Sequence, residues 1–228
     1  SGAEKVEALV RWFEDLGARD VELVGGKAAS LGEMYCSLEG RGVRVPNGFA
    51  TTVAAWDAFL DAPVEPDVWS VVPDAGRRLC PAAFGASSLR EALSALFATV
   101  DPNDHLDLHG RAELARTLVR LTPVPRDVER SLRLSHARLS ELYSGTVDLA
   151  VRSSATCEDS ELASFAGQYE SSLHARGEDG VLEPWRKCCA SAFTERAIGY
   201  QLSRGMDPMA GRLGVVVMKM VRSDIATS

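Results

Sequence analysis

The chain has no excess of positive charge, no C-x-x-C pair and no apolar run long enough to span a bilayer. Each absence excludes something. With 25 Lys and Arg against 32 Asp and Glu, the formal net charge is −7, so no global basic field draws in nucleic acid or an anionic membrane surface. Neither is expected as a partner. The five cysteines (Cys36, Cys80, Cys157, Cys188 and Cys189) are odd in number and scattered, which argues against a disulfide framework or a zinc ribbon. Cys188 and Cys189 fall inside a helical pattern and read as core thiols. That usage suits a reducing cytoplasm, the expected localisation. His105, His109 and His136 lack an acidic or Cys partner at ligand spacing, so they read as surface or core residues. The G-x-x-x-x-G-K-[ST] phosphate loop is absent too.

What is present is enough for a sizeable core. A chain of 228 residues, 46% hydrophobic, can hold one domain or two subdomains. Residues 6 to 16 read as a helix, residues 21 to 24 as a short strand, and residues 27 to 38 as a second helix that Gly40 and Gly42 stop. An extended turn follows at residues 45 to 49. Thr51 or Thr52 then caps a helix running to Leu60. Residues 62 to 86 carry many prolines and read as an irregular loop.

From residue 88 to 145 the period is helical: Leu89, Leu93, Leu96 and Phe97 share one face, as do Leu114, Leu118 and Leu121, then Val128, Leu132, Leu139 and Leu142. Strand character returns at residues 146 to 151, ending at Arg152, and again at residues 168 to 173. A single helix is expected over residues 180 to 202, with Pro184 in its first turn and Gly205 beyond its end. The β-branched run from Leu213 to Val221 has the pattern of a strand buried on both faces, in one sheet with the strand at Arg152.

Two segments carry chemistry. Asp148-Leu-Ala-Val-Arg-Ser-Ser-Ala-Thr-Cys-Glu-Asp159, with Ala163-Ser-Phe-Ala-Gly-Gln168 close behind, delivers a guanidinium on a strand and then opens into small residues. Backbone N–H groups, hydroxyls and a positive charge together suit a polyanion. Val24-Gly-Gly-Lys-Ala-Ala-Ser-Leu-Gly-Glu-Met34 places Gly25, Gly26 and Lys27 at a helix entry. Glycines let a ligand approach the backbone, and the helix N-terminus carries partial positive charge. Glu158 and Asp159 invite a metal reading but more simply terminate the loop or cap its N–H groups.

Five segments occur in order: Gly25 to Met34, Val45-Pro-Asn-Gly-Phe-Ala-Thr-Thr52, Val151-Arg-Ser-Ser-Ala-Thr156, Ala163 to Gln168, and Lys219-Met-Val-Arg-Ser-Asp224. Together they resemble the N-terminal ATP-binding domain of the phosphoenolpyruvate synthase and pyruvate phosphate dikinase family, which includes rifampicin phosphotransferase. Trp12-Phe-Glu-Asp-Leu16 and the Pro-Asn-Gly-Phe segment are most like the synthases. The resemblance implies an α+β, ATP-grasp-like mixed sheet with helices. The resemblance spans about residues 10 to 226; the α/β subdomain is expected over residues 1–72 and 146–228, with residues 73–145 as an inserted helical subdomain.

The resemblance also assigns roles. Lys27 and Arg152 are expected to contact the phosphates of ATP as the catalytic pair. Gly25, Gly26, Ser153, Ser164, Gly167, Gln168 and Ser171 are expected to line the phosphate side, and Met218, Met220 and Val221 the adenine side. Met218 stands where many relatives carry glutamine, which removes a polar contact and leaves a thioether to pack on the purine. The second ATP-grasp lobe, the Mg²⁺ ligands, the swivelling phosphohistidine domain and the acceptor-binding domain are expected outside these residues. The chain is therefore expected to be an ATP-dependent phosphotransferase domain, inactive alone. It would serve the conversion of ATP, pyruvate and water to phosphoenolpyruvate, AMP and phosphate. The alternatives are a dikinase with another acceptor, such as rifampicin phosphotransferase, and a non-catalytic nucleotide-sensing module.

Overall fold

A computed structural model describes residues 8–145, 147–156 and 178–220. Its centre is β4 (Leu213–Lys219), whose Val-Val-Val run is buried as expected of a strand covered on both faces. β4 lies between β2 (Gly48–Thr51) and β3 (Leu149–Ala155), and β1 (Val10–Trp12) forms the outer edge beyond β2. The strand ending was misplaced by the sequence reading: β3 runs three residues past Arg152, which sits in its middle.

Every pairing among the described strands is antiparallel, and no parallel pair of the expected mixed sheet occurs among them. The cause lies at one end of β3. Thr156 N–H donates to the carbonyl of Arg212 at 3.1 Å, so the chain re-enters the sheet beside the point where it left. β4 must then run back along β3. The class, helices with a small sheet in α+β arrangement, stands.

Three other local readings are corrected. Residues 10 to 12 form a strand rather than part of a helix, because pairing Val10 with Thr51 and Trp12 with Phe49 buries both apolar side chains at the sheet edge. Tertiary pairing here overrides helical spacing. Residues 21 to 24 form a single helical turn, α1 (Val21–Val24), closed by the Gly25 N–H on the Val21 carbonyl at 2.7 Å. The Asp20 carboxylate, accepting from Gly17 N–H at 2.8 Å, shapes the turn before it. Residues 62 to 86 are not irregular: they hold α4 (Pro66–Val71), α5 (Asp74–Leu79) and a 3-10 turn at Pro81–Ala83. Pro66 and Pro81 start their helices, where a missing N–H costs nothing.

The remaining helices follow the apolar periods. These are α2 (Gly26–Glu39), α3 (Val53–Leu60), α6 (Leu89–Ala98), α7 (His105–Leu121) and α8 (Arg126–Leu142). Thr52 stands at the start of α3, but its hydroxyl donates to the Ala8 carbonyl at 2.7 Å instead of capping. The expected single helix over residues 180 to 202 is two, α9 (Leu182–Ala190) and α10 (Glu195–Ser203), parted by a 3-10 turn at Ser191–Phe193. The break drives Phe193 between Trp56 and Phe97, with ring centroids 5.9 and 6.0 Å away. Thr194 Oγ1 then caps α10 by accepting from Ala197 N–H at 3.2 Å. The strand expected at residues 168 to 173 lies outside the described residues.

The sheet divides the interior into two apolar layers. Phe49, Leu149, Val151, Leu213, Val215 and Val217 face the larger, built with α3 and α6 to α9. Ala50 and Val216 face the smaller, built with Phe13, Leu16, Val24, Ala28 and Ala29 around α1 and α2. Cys188 and Cys189 are core thiols of the larger layer. Trp185 anchors it, fully buried, edge-on to Phe59 at 5.1 Å, with Nε1–H donating to Thr51 Oγ1 at 3.2 Å.

Two outcomes follow from this packing. Trp185→Ala should lower unfolding free energy by about 3–5 kcal/mol, read from urea denaturation, because the cavity cannot close around a lost indole. His136, buried on α8 with Nε2 lacking a hydrogen-bond partner among the described residues, has its pKa lowered from 6.5 by burial alone. Its folded form binds protons less readily than the unfolded chain. Stability is therefore full above pH 6.5 and falls as pH drops through and below that value. Urea midpoints of His136→Leu should decline less than wild type between pH 8 and pH 5.

Candidate nucleotide-binding site

Residues facing α2 from the sheet are set by register. Arg152 lies opposite Val216, Ala150 opposite Met218, and Ser154 opposite Gly214, so all six share the face of the smaller layer. The N-terminal turn of α2 sits over this face. Gly25 precedes it at φ 83°, a conformation that L side chains rarely adopt, and a Cβ there would also overlap the backbone of Ser154. Gly214 is confined in the same way beneath the Val24 carbonyl. Ser154 Oγ accepts from Ala28 N–H at 2.9 Å, so the helix is capped from a strand 126 residues away.

This seating brings the two predicted cations together. Lys27 and Arg152 are both half-buried. The Lys27 ammonium is lowered from 10.5, first by burial and then by the Arg152 charge. Cys188 offers no compensating charge near neutral pH, because burial pushes its thiol up to about 12. A lysine, an arginine and a helix N-terminus on one surface form an arrangement that an anion stabilises.

The other predicted residues are distributed as follows. Gly25 and Gly26 stand at the helix entry beside Lys27. Ser153 points away from them: it is buried on the opposite face, its hydroxyl in hydrogen-bonding reach of the Cys188 thiol. Met218 is half-buried against the smaller layer. Met220 N–H donates to the Asp148 carbonyl at 2.8 Å, continuing the ladder past β4. Beside it the Lys219 ammonium lies 4.2 Å from the Tyr143 ring centroid, and Tyr143 Oη accepts from Asn47 N–H at 2.7 Å. Ser164, Gly167, Gln168, Ser171 and Val221 lie outside the described residues, as do Glu158 and Asp159.

Sequence reasoning missed Ser154 and Gly214. Extending the strand to Ala155 and applying its alternation would have put Ser154 with Arg152 and set Ser153 behind. His109, expected to be a surface or core residue, is exposed, and its Nδ1 lies 3.0 Å from Glu195 on α10. Among the described residues, no group of three or more His, Cys, Asp or Glu is placed to hold a metal ion. Nor is any described helix long and apolar enough to cross a membrane.

Comparison with known proteins gives the chain its family. The pattern of the pyruvate phosphate dikinase AMP/ATP-binding domain matches residues 21–227, and the chain belongs to that family. Among its relatives are proteins named as phosphoenolpyruvate synthases. That of Synechocystis sp. is 43% identical over 233 residues, 100% of this chain and 26% of the relative. That of Escherichia coli is 39% identical over 220 residues, 96% of this chain and 25% of the relative. That of Pyrococcus furiosus is 34% identical over 225 residues, 95% of this chain and 27% of the relative. The chain thus spans about a quarter of the length of the curated relatives it matches.

The electrostatics can be read directly. In a chain reductively methylated with ¹³C-formaldehyde, the Lys27 resonance should titrate below 10.5, the ordinary lysine value. Arg152→Ala should move it part of the way back up, since burial, the larger cause, remains. A Lys27 titration unmoved by that substitution would separate the two side chains.

Proposed function

We propose that the chain binds the triphosphate of ATP through Lys27 and Arg152 and contributes this part of the nucleotide site to a phosphoenolpyruvate synthase-like dikinase. The observation that carries the reading is the convergence of a helix N-terminus, Lys27 and Arg152 on one face of the sheet. An ammonium and a planar fork cover different oxygens of a phosphate chain. Gly26, where a side chain would meet nothing within 4 Å, leaves the backbone open to close approach, and Gly25 seats the turn against Ser154. Ser164, Gly167, Gln168 and Ser171 complete the phosphate side. Ser153 supports β3 from behind through Cys188. Met218 and Met220, near the end of β4, together with Val221 hold the adenine by packing and backbone contacts.

In this reading residues 1–72 and 146–228 form an ATP-grasp-like subdomain, and residues 73–145 form its helical insert. A second lobe elsewhere in the full-length enzyme closes the site and carries the Mg²⁺ ligands. The described residues do not form such a cluster. For AMP and phosphate to be the products, a histidine on a swivelling domain keeps the β-phosphoryl group of ATP as AMP leaves and the γ-phosphate is released to water, and that phosphoryl group then passes to the acceptor. Pyruvate is favoured as acceptor over an antibiotic by the name that the relatives carry. The overall change is ATP, pyruvate and water to phosphoenolpyruvate, AMP and phosphate, in the cytoplasm. Lys27 and Arg152 do electrostatic work, neutralising charge as the phosphate bond breaks.

The test is formation of the phosphohistidine from labelled ATP in the full-length enzyme. Arg152→Ala should cost about 2–4 kcal/mol of transition-state stabilisation. Arg152→Lys should recover only part, since an ammonium cannot make the two-pronged contact. Arg126→Ala, exposed on α8, should behave as wild type. An unchanged rate in a folded Arg152→Ala enzyme would make the arginine structural.

A further inference from the structure

Ser154 has no part in the phosphate contacts proposed above, yet it holds the turn that carries them. Its Oγ accepts the Ala28 N–H at 2.9 Å, and its backbone lies where any Gly25 side chain would have to go. Its register partner Gly214 meets the Val24 carbonyl just as closely. One rung of the β3–β4 ladder therefore seats both sides of the turn. Arg152 lies two residues back along the same face, about 6.6 Å along the strand.

We propose that Ser154 is the positioning residue of the phosphate site. It takes the third N–H of α2, leaving those of Gly26 and Lys27 for a polyphosphate ligand, and fixes Lys27 relative to Arg152. The proposal rests on the phosphate reading above and goes beyond it by assigning the registration of the two cations to a residue that touches neither ligand nor metal. Geometry supports the division. The first three N–H groups of a helix have no partner within it, and Ser154 satisfies only one of them. Being 1% exposed, Ser154 cannot swing aside to free Ala28, so its hydroxyl is a fixed part of the site.

The experiment compares wild type with Ser154→Ala in this chain by two readings. Amide hydrogen exchange should show Ala28 exchanging about tenfold faster in the variant, with the β4 amides unchanged. NMR titration with inorganic tripolyphosphate and, separately, adenosine should show tripolyphosphate weakened about tenfold and adenosine altered less than twofold. Equal losses for both probes would mean a general structural role and overturn the proposal. So would unchanged tripolyphosphate binding in a folded variant when wild type binds. If wild type takes up neither probe, the phosphate reading itself falls, and the proposal with it. Ser154→Cys, near in size with a weaker acceptor, carries the same comparison should the alanine variant fail to fold, and its losses should be intermediate.

Discussion

Two missing side chains govern this molecule. At Gly25 and Gly214 backbone meets backbone with no room for a Cβ, and that contact sets the N-terminal turn of α2 onto the β3–β4 ladder. Everything chemical about the surface depends on it. Lys27 is reached only from that turn and Arg152 only from that ladder, so their separation is fixed by how closely the two backbones pack. An alanine at either glycine would push them apart before it changed any charge. The Ser154 hydroxyl adds direction to a contact that packing alone would leave free to slide.

Much of this was legible in the residues, and the failures have physical causes. The β-branched run of β4, the amphipathic spacing of α6 to α8 and the Gly-Gly-Lys helix entry were all readable because each is local. What could not be read were elements whose form is decided by a distant partner. β1 has helical spacing yet pairs as a strand because β2 buries Val10 and Trp12. The break before α10 was hidden because Phe193 finds its place only between Trp56 and Phe97, which arrive from elsewhere in the chain. Residues 62 to 86 were misread for a different reason: prolines were taken as breakers, whereas Pro66 and Pro81 open helices.

The site was half legible for the same reason. Lys27 and Arg152 announce themselves by residue type beside small residues. That they meet is a statement about topology. Ser154 looks no different from Ser153 in the sequence, and only the pleat of β3 separates them, one toward α2 and the other toward Cys188.

That separation has a wider consequence. The sheet gives one face to stability and the other to charge. Behind Arg152 the larger layer is aromatic and aliphatic, with Trp185, Phe59 and the Cys188 thiol packed so tightly that the thiol stays neutral. The neutral thiol adds no opposing charge to Lys27, and burial makes that charge more costly than it would be in water. The cost of holding Lys27 beside Arg152 is met by packing on the opposite face of the same strands. In the proposed reading, a phosphate chain bound between the two cations would recover part of that cost as binding energy.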